Sequence, residues 1–216
     1  MSGVDEPFDA AEELANGLTH GFGLLLGIAG LVLVVVFAAL RGTVWHVVGG
    51  SIFGATLVLL YASSTLYHSL RPGRAKRLFG IFDHAAIFLL IAGTYTPFML
   101  GPLRGPWGWT LFGMIWALAI CGVLLEAITK GRARRLQLAL YLGMGWLIVV
   151  ALKPLVDNVS PGGLALLGAG GAAYTLGVIF YVWKRLRYHH AIWHLFVIAG
   201  SVCHVLAILF YVVQGD

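Results

Sequence analysis

Charged side chains are scarce in this 216-residue chain: Asp, Glu, Lys and Arg make up 11% of it, where a soluble domain carries about 25%. That scarcity excludes a disordered chain and argues against an ordinary water-soluble globule. Cysteine is scarcer still. Two residues are too few for a disulfide framework. The 29 glycines follow no three-residue period, which excludes a collagen-like chain. No Lys or Arg precedes Arg41. The first apolar run instead follows Asp5, Glu6, Asp9, Glu12 and Glu13, so it lacks the basic start of a secretory signal and reads as a retained span.

What is abundant is long stretches without charge. Between Glu13 and Arg41 lie 27 such residues, and between Arg41 and Arg71 lie 29. Asp83 to Arg104 encloses 20, Arg104 to Glu126 21, Arg135 to Lys153 17, Asp157 to Lys184 26, and Arg187 to Asp216 28. A helix needs roughly 20 apolar residues to cross the hydrocarbon of a bilayer. Six windows suffice outright. The fifth does so if Lys153 snorkels and Pro154, Leu155 and Val156 extend the run. The expected fold is an all-α integral membrane protein, a single bundle of seven transmembrane helices over residues 13–216, preceded by a short acidic segment, 1–12.

The basic residues orient it. Eleven of the fourteen follow the second, fourth and sixth spans: Arg71, Arg74, Lys76 and Arg77; Lys130, Arg132, Arg134 and Arg135; Lys184, Arg185 and Arg187. Only Arg41, Arg104 and Lys153 face the other side. The positive-inside rule then makes the amino terminus cytoplasmic and the carboxyl terminus external, in an inner (plasma) membrane. The net charge of +5 is topology and contact with anionic headgroups, not a nucleic-acid surface. Trp45, Trp107, Trp109, Trp183 and Tyr188 fall near window ends, as interfacial aromatics do.

Ionisable groups inside spans point to function. His68 ends the second span, Asp83 and His84 begin the third, His189, His190 and His194 begin the seventh, and His20 lies in the first turns of span one. All belong to one membrane depth; His46 is interfacial on the far side. At about 100° per residue, His190, His194, Ser201 and His204 form one stripe. His204 lies about 15 Å beyond His194 at 1.5 Å per residue, too far to share an ion, and lines a cavity beneath the site. Tyr61, Ser64 and His68 share a face, Glu13, Asn16 and His20 follow 3–4 spacing, and Asp83 is in phase with Thr94.

Three neutral imidazoles at one depth suit a transition metal, zinc first. An i,i+4 pair bites from one helix, and a third His from another leaves the fourth tetrahedral position open. A carboxylate beside it can manage a proton. Packing or interhelical hydrogen bonding by the HxxxH pair is the plainer reading. Asp83 has an alternative as an ion pair with Arg77 or Lys76. Glu126, four residues before Lys130, reads as half of a helix-surface pair. Cys121 and Cys203 read as small core residues. Pro97 either kinks the third span or marks its irregular exit. Gly23, Gly27, Gly49, Gly50, Gly54, Gly113, Gly143, Gly145, Gly168, Gly170 and Gly171 read as points of close helix approach.

The segments "EELANGLTHGFG" (12–23), "SSTLYH" (63–68), "FDHAAIFLLIAGTYTPF" (82–98) and "HAIWHLFVIAGSVCH" (190–204) resemble the hemolysin III family. That family is the bacterial branch of the progestin and adiponectin receptor superfamily, and is itself similar to the membrane alkaline ceramidases. The resemblance implies that His68, from SxxxH, and His190 and His194, from HxxxH, hold Zn2+. It implies that Asp83 holds the water at that ion, with Ser64 beside the water or the substrate carbonyl. Glu13, Asn16 and His20 match a further family pattern and are expected to clasp the mouth of the site.

The expected function is that of an intramembrane zinc-dependent hydrolase of an acyl lipid, a ceramide-like amide first, with the site in the cytoplasmic leaflet. The partners implied are the lipid substrate and the bilayer; protein partners are not specified. Two other classes stay open: a zinc-stabilised sensor or structural protein without turnover, and a pore-forming cytolytic protein.

Overall fold

A computed structural model describes residues 9–213; Asp5 and Glu6 of the acidic segment, and Asp216, lie outside the described residues. All regular structure among them is helical: α1 (Ala10–Arg41), α2 (Val44–Ser69), α3 (Arg74–Leu100), α4 (Pro106–Thr129), α5 (Arg134–Trp146), a 3-10 turn (Leu147–Ala151), α6 (Leu152–Asn158), α7 (Pro161–Val182) and α8 (His189–Tyr211). Seven spans are long and apolar enough to cross a membrane, α5 through α6 forming the fifth. The chain is therefore a multi-pass membrane protein of seven helical crossings.

The helix starts are chemically marked. Asp9 caps α1, accepting from the backbone N–H of Ala11 at 2.8 Å and of Glu12 at 3.3 Å, as a short acceptor side chain does at an N-cap. His46, the interfacial histidine, belongs to the start of α2: its Nδ1 accepts from the N–H of Thr43 at 2.9 Å. Pro106 and Pro161 open α4 and α7, where a missing N–H costs nothing. The start of α3 falls earlier than expected. Arg74, Lys76 and Arg77 sit in its first turn, so Asp83 lies more than two turns inside the helix. These basic residues continue the helix because their charged ends reach outward while their stems lie along it.

α2 packs between α1 and α3, α8 closes on α1 and α7, and α4 covers α3; α5 touches α3, α4 and α7 only lightly. Close approach rests on particular small residues. A Cβ on Gly23 would stand 2.6 Å from the ring of Tyr61, so the α1–α2 contact requires glycine there. A Cβ on Gly113, Gly143, Gly145, Gly168 or Gly171 would meet nothing within 4 Å, so these glycines do not serve as the close contacts expected of them. Pro97 lies three residues before the end of α3, within its last turn. Cys121 is exposed and Cys203 half-buried; Cys121 is on the outer surface of the bundle, not in its core.

The fifth span is broken. Its 3-10 turn leaves backbone groups without α-helical partners, and Tyr95 of α3 collects them. The Tyr95 hydroxyl donates toward the carbonyls of Met144 at 2.7 Å and Gly145 at 3.0 Å, and accepts from the N–H of Ile148 at 2.8 Å. Between α3, this broken span, α7 and α8 lies a cavity of about 350 Å³, walled mainly by Leu, Ile, Val and aromatic side chains.

Candidate functional site

Histidines from α1, α2 and α8 meet at the end of the bundle that carries the 70–73 and 183–188 connections. One ligand atom each from His68, His190 and His194 lie within 4.8 Å of one another, and these three form the metal-competent cluster among the described residues. The ring centroids are 5.1 Å apart for His68–His190, 5.2 Å for His68–His194 and 4.5 Å for His190–His194. His68 and His194 are buried and His190 is half-buried. His189, next in chain, turns away and places Nδ1 3.2 Å from the carbonyl of Phe180.

The partners of these rings assign their protons. His68 Nδ1 lies 3.0 Å from Glu13 Oε2. An ionised carboxylate only accepts, so Nδ1–H donates and Nε2 is left with its lone pair. That Nε2 is buried with no hydrogen-bond partner. Glu13 is fixed in turn by Lys76, whose Nζ donates to the same oxygen at 2.7 Å. His194 Nδ1 lies 3.3 Å from the carbonyl of Asn16 and 3.1 Å from Thr19 Oγ1. Thr19 gives its own proton to the α1 backbone, 2.9 Å from the carbonyls of Ala15 and Asn16. His194 Nδ1–H therefore donates to Asn16 and Thr19, and its Nε2 is also free to ligate. Two bare imidazole nitrogens, oriented through their opposite nitrogens by a carboxylate and a carbonyl, are the arrangement by which proteins hold metal-ligating histidines. An orphaned buried nitrogen costs about 1–3 kcal/mol, which a bound cation would relieve. The donor set fits a metal ion.

His20 stacks on His194, centroids 3.4 Å apart and planes 15° from parallel. Imidazole lone pairs lie in the ring plane, so stacking keeps His20 outside the triad. Both its nitrogens are buried and unpartnered, as is Ser64 Oγ one turn before His68. Asp83 is buried and lines the cavity beside His20, His190 and His194; Thr94, in phase with it but eleven residues further along α3, lines the cavity at a greater depth. Asp83 is not among the three clustered ligands. Glu12 joins the site's rim: its Oε1 accepts from the N–H of Tyr188 at 2.9 Å and ties the start of α1 to the start of α8.

Two features depart from expectation or escaped it. Glu126 is 1% exposed and does not form a surface pair with Lys130. Gln137 of α5 donates to it, and His84 lies 3.5 Å away. Lys130 caps α4 in the left-handed region and is exposed. Thr19 carried no motif of its own, although it stands half-buried beside the buried face of α1 that Asn16, His20 and Gly23 form.

Comparison with known proteins agrees with this architecture. The Haemolysin-III related family matches residues 8–205. The chain is 47% identical to "Hemolysin-3 homolog" of Bacillus subtilis over 96% of its length and 97% of that protein's. It is 48% identical to "Hemolysin-3" of Bacillus cereus, over 93% of its own length and 92% of the other's. A more distant relative, "Monocyte to macrophage differentiation factor" of Homo sapiens, is 29% identical over 94% of this chain and 86% of that one. The chain belongs to the Haemolysin-III related family of membrane proteins.

Proposed function

We propose that this protein is an intramembrane metal-dependent hydrolase of an acyl lipid, with a ceramide-like amide as the favoured substrate class. The observation that carries the reading is the convergence of His68, His190 and His194 within 4.8 Å at the head of an apolar cavity that Asp83 also lines. Zinc is the ion we assign, because nitrogen donors from two helices with no sulfur suit it. A bound zinc supplies Lewis acidity, polarising a carbonyl and making water nucleophilic near neutral pH.

The chain's own residues do the rest. The cavity receives the acyl chain and holds the carbonyl near the histidines. Ser64, buried and unpartnered, donates to the water or to the carbonyl oxygen. As the water oxygen bonds to the carbonyl carbon, Asp83 takes its proton. When the C–N bond breaks, Asp83 returns that proton to the departing nitrogen, giving a fatty acid and an amine. Glu13, Asn16 and Thr19 keep two imidazoles in the ligating tautomer. Our reading sets the site in the cytoplasmic leaflet of the plasma membrane, where a lipid's amide or ester sits near the headgroups; the excess of Lys and Arg in the connections at that end of the bundle supports it.

The test is release of free fatty acid from ceramide and from mixed acyl lipids by the purified protein. Asp83→Ala should lower the rate at least about a hundredfold, the span of one general base, with an unchanged melting temperature; His194→Ala should abolish it. Full activity in both variants would remove the reading. The name Hemolysin-3 carried by two relatives makes lysis the second reading. A channel needs polar groups along its whole length, whereas this cavity is mainly apolar beyond the histidines. Dye leakage from liposomes that persists under metal chelation would favour the lytic reading.

A further inference from the structure

The far end of the cavity carries polar groups that the hydrolytic reading does not use. His204 lies ten residues along α8 from His194, about 15 Å at 1.5 Å per residue. It is 4% exposed and lines the cavity. Its Nδ1 is sealed with no hydrogen-bond partner, and no partner to Nε2 exists among the described residues. The fold makes room for this ring: a Cβ on Gly170 would stand 2.7 Å from Nε2. A leucine there would fill the same space without leaving a polar group unsatisfied.

Beside it stands a second group with a proton to give. Tyr61 donates to Ser201 Oγ at 2.9 Å, and Tyr174 OH lies 3.0 Å from the same oxygen. Either hydroxyl of that pair can donate; with Tyr61 already donating to Ser201, the Ser201 proton is available to the Tyr174 oxygen. Tyr174 then keeps its own O–H for the cavity that it lines. The Tyr174 and His204 rings are 5.4 Å apart. With Nδ1 sealed, His204 meets a ligand only through Nε2, which accepts or donates according to the tautomer, while Tyr174 supplies a hydroxyl, so the pair presents both kinds of partner in a chamber that is mainly apolar.

We propose that Tyr174 and His204, with Gly170 as the space-maker, form a subsite for a hydroxyl group carried on the apolar chain of the bound lipid, well away from its headgroup. An alcohol matches the pair because it donates and accepts at once and is uncharged. This rests on the reading that the cavity holds an acyl chain, but not on turnover.

The experiment is equilibrium displacement of a fluorescent fatty acid from the full-length protein in nanodiscs. The competitors are stearate and a hydroxystearate with its hydroxyl at mid-chain. The wild type should prefer the hydroxylated acid roughly tenfold, the worth of one net hydrogen bond. His204→Leu should lose that preference, bind stearate undiminished and melt no lower, and His204→Gln should retain part of it. Equal binding of both acids by the wild type overturns the subsite while leaving the acyl cavity standing. Displacement by neither acid overturns both.

Discussion

At the residue scale the site is defined less by the three imidazoles than by what holds them. Glu13 and the Asn16 carbonyl decide which nitrogen of His68 and His194 is bare. Replacing Glu13 with Gln removes the charge that draws the His68 proton to Nδ1. Metal affinity, measured by competition with a chelator, should fall about 10–100-fold, as it does when such outer partners are lost, with the helical fold intact. Glu13, Asn16 and His20 were legible because their 3–4 spacing marks one helix face. Thr19 was not, since its role depends on His194, 175 residues away. Glu126 was misread for a related reason. A local i,i+4 partner is visible in sequence, whereas Gln137 reaches it only across the α4–α5 turn.

At the element scale, the seven spans were legible because charge marks their ends and little charge falls between. The break in the fifth span was not. Leu147–Ala151 contains no proline or glycine, and what stabilises the break is a hydroxyl on another helix. Within a bilayer no water can satisfy the freed groups, so the fold depends on Tyr95 there. Tyr95→Phe should lower stability by about 1–3 kcal/mol, the cost of leaving buried groups unsatisfied. The melting temperature should drop, and amide exchange should quicken across residues 144–149 first. Unchanged exchange in that segment would mean that the break is held by something else. The consequence reaches the site, because the broken span is one wall of the cavity that Asp83 and His204 line.

At the scale of the whole molecule, the charge distribution and the site are one arrangement. The clustered histidines sit at the end of the bundle that carries the basic connections. If those connections are cytoplasmic, a fluorescent protein fused ahead of residue 1 should fold and glow, and alkaline phosphatase fused after Asp216 should be active; the opposite pattern would invert the topology. The central claim is a metal held by residues from the second and last crossings. Its most direct measurement is elemental analysis of the purified protein beside His68→Ala and His190→Ala. The expected result is one zinc per wild-type chain and none in either variant. A wild type purified without chelators that carries no metal, or variants that retain a full complement, would contradict it.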